Sequence, residues 1–315
     1  MKTALVALGG NTLVRPEDEG TAEQQFEIME KTCEKLSKMI EQGYDLVLTH
    51  GNGPQVGNIL LQNEIAADSV PAMPLDICGA QSQGQIGYMF QQTLKNKLKE
   101  IGIERNISSI VTQVEVDEDD PAFDEPSKFV GPTYSEDEAE EIKKDKDWSL
   151  KRTARGKYRR VVPSPKPLSI VESEVIEDLV FSGEESHIVI SAGGGGVPVL
   201  KEEDRLIGVE GVIDKDRASA VLANDIDEDF LIMLTNVEHV YLNFNEEDQK
   251  VIESMNIEEA KRYLDEGHFP AGSMGPKIEA SIDFLEKGGE KALITNPENL
   301  LDALDQSSGT YIYSE

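Results

Sequence analysis

Two lysines stand where a helix is about to begin. Lys215 lies in Ile213-Asp214-Lys215-Asp216, flanked by carboxylates that could orient it, and Lys277 lies in Gly272-Ser273-Met274-Gly275-Pro276-Lys277. A cation at a helix N-terminus opposes the macrodipole, so neither residue is there to stabilise its helix. Full positive charge in such places suits phosphoryl transfer, where the oxygens of the moving group gain charge in the transition state. Ordinary surface lysines are the competing reading for each taken singly. Lys128, in Pro126-Ser127-Lys128-Phe129-Val130-Gly131-Pro132, is a third candidate with the same two readings.

Such lysines need an anion to act on, and three glycine turns offer it a cradle. Residues 44–49 read as a strand that runs into His50-Gly51-Asn52-Gly53-Pro54, then a helix with Val56, Ile59 and Leu60 on one face. Gly51 and Gly53 permit positive φ and close approach of a ligand. Pro54 suits the first helical position, and the helix start offers free N–H groups to an anion. The spacing GxGxxxG is neither the dinucleotide fingerprint nor a Walker loop. Strand-like 3–8 ends in Gly9-Gly10-Asn11-Thr12, and strand-like 187–191 ends in Ala192-Gly193-Gly194-Gly195-Gly196. One such turn is ordinary packing, whereas three at the carboxyl edge of an open parallel sheet would line a site with backbone donors.

The elements that must position these residues follow from periodicity. Phe26, Met29, Cys33, Leu36, Met39 and Ile40 predict a helix before the 44–49 strand; Ile86, Met89, Phe90, Leu94 and Leu98 predict another before a strand at 107–112. This βαβ rhythm implies an α/β fold with a parallel sheet covered on both faces. It resumes with a helix over 169–181, the 187–191 strand, a helix over 215–222, a strand over 230–234 and a short apolar stretch at 240–242. Helices follow Ile257 and Pro276, and strands at 292–295 and 310–313 close the chain. Between 114 and 167 the rhythm stops. That stretch holds proline turns, an acidic segment at 135–147, and then Lys151, Arg152, Arg155, Lys157, Arg159, Arg160 and Lys166. Structureless loops of such length are rare, so 114–167 reads as an inserted subdomain carrying Lys128 on a single domain spanning 1–315. The basic run either pairs with the preceding acids or forms an anion-facing surface.

Composition narrows the classes. With 315 residues and 38% hydrophobic content the chain can build a sizeable core, and no apolar run reaches the roughly 18 to 20 residues of a membrane span. Asp and Glu number 61 against 30 Lys and Arg, a formal net charge of -31, which disfavours a nucleic-acid binder. Such acidity suits a salt-rich cytoplasm, where surface carboxylates are screened. A generally acidic mesophilic enzyme and a DNA mimic are the alternatives. Cys33 and Cys78 fall within apolar helical patterns, and His50, His187, His239 and His268 are scattered, so a zinc site is not expected.

Taken together, Gly9-Gly10-Asn11, the segment from His50 to Gly57, Pro126-Ser127-Lys128, Arg159-Arg160-Val161-Val162-Pro163-Ser164-Pro165-Lys166-Pro167, the Ala192 to Gly195 turn, Ile213-Asp214-Lys215-Asp216 and the Gly272 to Lys277 segment resemble, in order and spacing, the motif set of the carbamate kinases in the amino acid kinase superfamily. The resemblance implies an open αβα sandwich around a mainly parallel sheet, with a protruding subdomain, assembled as a cytoplasmic homodimer. It implies a transferase that binds ATP or ADP with Mg²⁺ and catalyses ATP + carbamate ⇌ ADP + carbamoyl phosphate, with ATP synthesis in arginine fermentation as the expected use. By matching motif, Gly9, Gly10, Asn11, Gly51, Asn52 and Gly53 would hold the transferred phosphoryl group and carbamate, with Ala192, Gly193, Gly194 and Gly195 nearby. Lys128 would reach the carbamate end, Lys215 and Lys277 would neutralise the β- and γ-phosphate oxygens, Asp216 would orient the lysines, and Tyr241, Gly272 and Met274 would border the nucleotide. No protein ligands of the metal are assigned. Phe129 departs from the pattern, standing where a proline is expected. Acetylglutamate and uridylate kinases of the same superfamily would lack the long insertion bearing Lys128, and a catalytically silent nucleotide sensor would have lost Lys215, Lys277 or Asp216.

Overall fold

The computed structural model describes residues 2–9, 18–146, 148–153, 155–181, 187–270 and 272–315; Gly10, Asn11 and Thr12 lie outside the described residues. An eight-stranded sheet runs in the order Ser254–Asn256, Thr310–Tyr313, Lys291–Thr295, Phe230–Leu234, Lys2–Leu8, Tyr44–His50, His187–Ile190, Asn106–Ser109. Neighbours are parallel throughout except Lys291–Thr295 against Thr310–Tyr313, so the sheet is mainly parallel, as the βαβ rhythm required.

Strand alternation sends Ala4, Val6, Leu8, Leu46 and Leu48 to one face, where they bury Met29, Cys33 and Leu36 of helix Ala22–Glu41 and Ile86, Phe90 and Leu94 of helix Leu75–Glu100. Leu5, Ala7, Val47 and Val189 point to the other face, against Ala218 and Leu222 of helix Lys215–Asp225 and Ile278 and Phe284 of helix Met274–Glu286. Strands buried on both faces are apolar runs by necessity, and each fully buried large side chain contributes roughly 1.5–3 kcal/mol. Around Lys2–Leu8 the order of connection reverses: three strands lie on one side and four, beginning with Phe230–Leu234, on the other. The carboxyl ends of the strands therefore diverge at Leu8, which is where doubly wound sheets open a crevice.

Two expectations are corrected. The helix expected over 169–181 begins only at Ser173, because Pro167–Ile170 is a strand antiparallel to Gln113–Val116. Pro165 and Pro167 hold the preceding chain extended, and the ladder partner is available. The strand expected at 107–112 stops at Ser109, and Gln113–Val116 joins a separate four-stranded sheet with Pro167–Ile170, Val197–Glu202 and Arg205–Gly208.

Within the stretch from 114 to 167, Lys128–Tyr134, Tyr158–Val162 and Leu150–Arg152 form an antiparallel three-stranded sheet. The acidic segment forms helix Glu136–Asp145, started by a capping box between Ser135 and Glu138, with acids in its first turn and Lys143 and Lys144 in its last. Among the described residues no helix is long and apolar enough to cross a membrane.

Candidate active site

Asp214 caps helix Lys215–Asp225, its Oδ1 accepting from the Asp216 N–H at 3.0 Å. This cap fixes the first turn and aims the next two side chains inward. Asp216 then bridges two lysines: Lys215 Nζ donates to Oδ1 at 2.5 Å and Lys277 Nζ, from the first turn of helix Met274–Glu286, donates to Oδ2 at 2.8 Å. All three side chains are largely buried. Burial pushes the Asp216 carboxyl up, but the adjacent Lys215 and Lys277 charges outweigh it and hold the group down at about 2. Burial likewise lowers the Lys215 ammonium, with Asp216 opposing the shift. The triad carries one net positive charge, and removing Asp216 would leave two buried ammonium groups without their shared carboxylate.

Lys128, at the start of its strand, donates to Asp214 Oδ2 at 2.8 Å. The chain between 128 and 214 thus closes a cleft of about 230 Å³ that Lys128, Asp214, Lys215 and Asp216 all line. Gly51, Asn52, Gly53 and Gly194 line it as well.

The glycine turns hold one another. Gly194 has φ +66°, and a methyl group there would come within 2.1 Å of the Asn52 amide. Gly195 has φ +91°, and a methyl group would stand 2.3 Å from the Ile213 carbonyl oxygen, immediately before Asp214. The 192–195 turn is therefore pressed against both the Asn52 turn and the segment leading to Lys215. Helix Gly53–Ala66 starts from Asn52 with a proline in its first turn and directs its free N–H groups at the cleft.

Gly9 approaches the backbone at Leu234, where a methyl group would be 2.9 Å from its carbonyl oxygen. Tyr241 lies in the ribbon Val240–Leu242 paired with Lys250–Ile252 and packs on His239 and Phe244. Met274 opens the helix that carries Lys277 and packs partly buried against the core, with Gly272 exposed just before it. Hydrogen bonds through Asp214 and Asp216 unite Lys128, Lys215 and Lys277, whereas Tyr241 packs within its own ribbon. Two arginines of the basic run are bonded within the fold: Arg159 Nε donates to the Gly131 carbonyl at 2.8 Å, and buried Arg160 pairs with Glu210.

Residues that sequence reading missed hold the turns from behind. His50 is fully enclosed, stacks on Phe90, and donates from Nδ1 to the Gly51 carbonyl at 3.0 Å. Burial keeps it neutral, with its pKa lowered to about 4. Ser82 accepts from the Asn52 amide at 2.8 Å, and Thr112 Oγ1 accepts from the Ala192 N–H at 2.9 Å while Gln83 brackets the Thr112 peptide. The available signal was Ser82 and Gln83 interrupting an otherwise apolar helical stripe.

Among the described residues no group of three or more His, Cys, Asp or Glu side chains is placed to hold a metal. Mg²⁺ prefers oxygen ligands and draws several from substrate phosphates and water. The cleft carboxylates Asp214 and Asp216 are both bonded to lysines. Every oxygen of these two carboxylates already accepts a hydrogen bond, so this donor set fits an ion that enters on the phosphates of a nucleotide rather than one held by the protein alone.

Residues 2–296 match the amino acid kinase family. The chain belongs to that family. It is 49% identical to a carbamate kinase of Halobacterium salinarum, covering 99% of this chain and 98% of that one. A carbamate kinase of Thermococcus kodakarensis is 45% identical with both chains fully covered. Among solved structures, the carbamate kinase of Giardia lamblia bound to AMP-PNP superposes with a TM-score of 0.93 at 40% identity, covering 99% of this chain and 98% of the other.

Proposed function

We propose that this member of the amino acid kinase family is a carbamate kinase, transferring a phosphoryl group reversibly between ATP and carbamate. The observation that carries the reading is Asp216, which lines one cleft with Lys215 and with Lys128 from the three-stranded sheet and bonds both Lys215 and Lys277. Relatives at 43% to 49% identity over nearly the whole chain support it.

In the forward direction a carbamate oxygen attacks the γ-phosphorus of ATP, the new O–P bond forms as the bond to the β-phosphate oxygen breaks, and ADP leaves. Carbamate already carries the attacking electron pair as an anion, so no proton has to be removed and no general base is needed. Lys215 and Lys277 place positive charge on the β- and γ-oxygens as they gain charge, and Asp216 fixes both ammonium groups before the reaction begins. N–H groups from the turns at Gly9, Gly51 to Gly53 and Ala192 to Gly195 would cradle the transferred group, joined by Gly10 and Asn11. Lys128 neutralises the carbamate end. When bound with the nucleotide, Mg²⁺ would supply further charge neutralisation on the phosphates. Tyr241, Gly272 and Met274 are assigned to the nucleotide's border by motif alone.

The proposal extends to a cytoplasmic, salt-adapted homodimer that works in the ATP-forming direction of arginine breakdown. Exposed Tyr88 and Val111 beside Asn106–Ser109, an edge of the described sheet, support a surface that a second copy covers. Residues 114–167 are proposed to act as a protruding subdomain that closes the acceptor end. A panel of acceptors tests the substrate assignment: ADP should appear with bicarbonate plus ammonium as the carbamate source. Comparable turnover of N-acetylglutamate or UMP would overturn it.

A further inference from the structure

Lys128 is set over the cleft by a strand whose other end is tied down far from the chemistry. Strand Lys128–Tyr134 crosses helix Gly53–Ala66, with Gly131 resting on Gly57: a methyl group on Gly57 would be only 3.9 Å from the Gly131 backbone. Val56, Val130 and Val162 form a small apolar cluster at that crossing. Seven residues beyond Gly57, two turns along the same helix face, Glu64 meets the far end of the strand. Its Oε2 accepts from the Tyr134 hydroxyl at 2.9 Å, and its Oε1 accepts from Lys146 Nζ at 2.8 Å, just past helix Glu136–Asp145.

Packing does not do this job at that end. A cavity of about 370 Å³ separates the two bodies there, lined by Leu60, Met73, Pro74, Val130, Tyr134 and Trp148, and the Glu64 bonds stand at its wall. Lys146 lies 4.1 Å and the Arg160 guanidinium 4.4 Å from the Trp148 ring centre, and Arg160 pairs with Glu210, so the polar side chains around the cavity are linked to one another. The Tyr134 phenol is pushed up by burial and by its bond to Glu64, which keeps it a donor. Val130 lines both this cavity and the catalytic cleft, so one strand separates the two spaces.

We infer that Glu64 is a positioning residue for the phosphoryl-transfer reaction: by clamping Tyr134 and Lys146 across the cavity it sets where Lys128 stands over the acceptor end of the cleft. The inference rests on the carbamate kinase reading. Glu64 touches no reacting atom in it. The clamp acts through the strand, so its loss affects the step that needs Lys128 and leaves the nucleotide end, held by Lys215 and Lys277, as it was.

The test is a double-mutant cycle on the full-length protein with Glu64→Ala, Lys128→Ala and the pair, preceded by showing that the parent makes ATP from ADP and carbamoyl phosphate. A parent without that activity overturns the functional reading, and amide hydrogen exchange over residues 128–134 still reports the clamp: Glu64→Ala should accelerate it, and unchanged exchange overturns the clamp itself. With an active parent, Glu64→Ala should lower kcat/KM for carbamoyl phosphate about tenfold while KM for ADP stays within about twofold. In the Lys128→Ala background the same change should have no further effect, because coupled residues are non-additive. Glu64→Gln keeps an acceptor oxygen, should fold as the parent does, and should restore kcat/KM to within about threefold. Effects that multiply across the cycle, or an equal rise in both KM values, overturn the inference.

Discussion

Replacing Lys215 or Lys277 by alanine removes one of two charges that share Asp216, and each change should lower kcat by at least about 10²-fold, near 3 kcal/mol of transition-state stabilisation. The fold should survive, since the remaining lysine still partners Asp216; circular dichroism and steady-state kinetics on the same samples separate the two effects. His50 gives a second prediction at this scale. It is neutral in both states above its ordinary value of 6.5, and its folded value lies at about 4. Below 6.5 the unfolded chain takes up the proton first, so stability falls as the pH drops from 6.5 toward 4, by up to about 3 kcal/mol. Asp216, also held low, loses its own contribution in a separate window as pH falls from its ordinary value of 3.8 to about 2. His50→Gln removes the first window and not the second. Denaturant melts of both proteins at pH 7.5 and 4.5 should show a smaller pH-dependent loss in the variant, and equal losses would contradict the assignment.

At the scale of elements, the 192–195 turn is the joint between the Asn52 turn and the helix bearing Lys215. Gly195→Ala should be among the most damaging single methyl additions: φ +91° is strained for alanine, and the new atom meets the Ile213 carbonyl rather than a side chain that can move. We expect a stability loss of about 2 kcal/mol or more together with loss of activity; a variant with parental Tm and turnover would show the joint is looser than its geometry. Much of this was legible in advance. The strand–glycine–helix units announced themselves because apolar periodicity and glycine placement act locally, and Lys215 and Lys277 stood out because they defy the helix dipole. Their meeting on Asp216 across 61 residues was not legible from local pattern, since only the packing of two helices on one sheet face brings them together. The helix expected from residue 169 fails over Ser169 and Ile170 for the same reason: they belong to strand Pro167–Ile170, whose ladder partner at Gln113–Val116 is remote in sequence. Ser82 and Thr112 support the turns from distant elements and left little trace.

The whole molecule carries a formal net charge of -31, and the candidate cleft is an exception, lined by Lys128 and Lys215 with Lys277 bonded to its Asp216. At low ionic strength the acidic surface repels itself and opposes the approach of anionic substrates; the Debye length shrinks from about 10 Å at 0.1 M salt to about 3 Å at 1 M. Tm should therefore rise strongly as KCl goes from about 0.1 M toward about 3 M, and a flat or falling Tm would assign the acidity another cause. Phosphoryl transfer itself is tested most directly by ATP formation from ADP and carbamoyl phosphate by the purified full-length protein, measured with the Lys277→Ala variant alongside, at low and at molar KCl. The account predicts ATP synthesis by the parent, sustained at molar salt, and a rate at least about 10²-fold lower in the folded variant. No ATP from the parent, or equal rates from the two proteins, would contradict it.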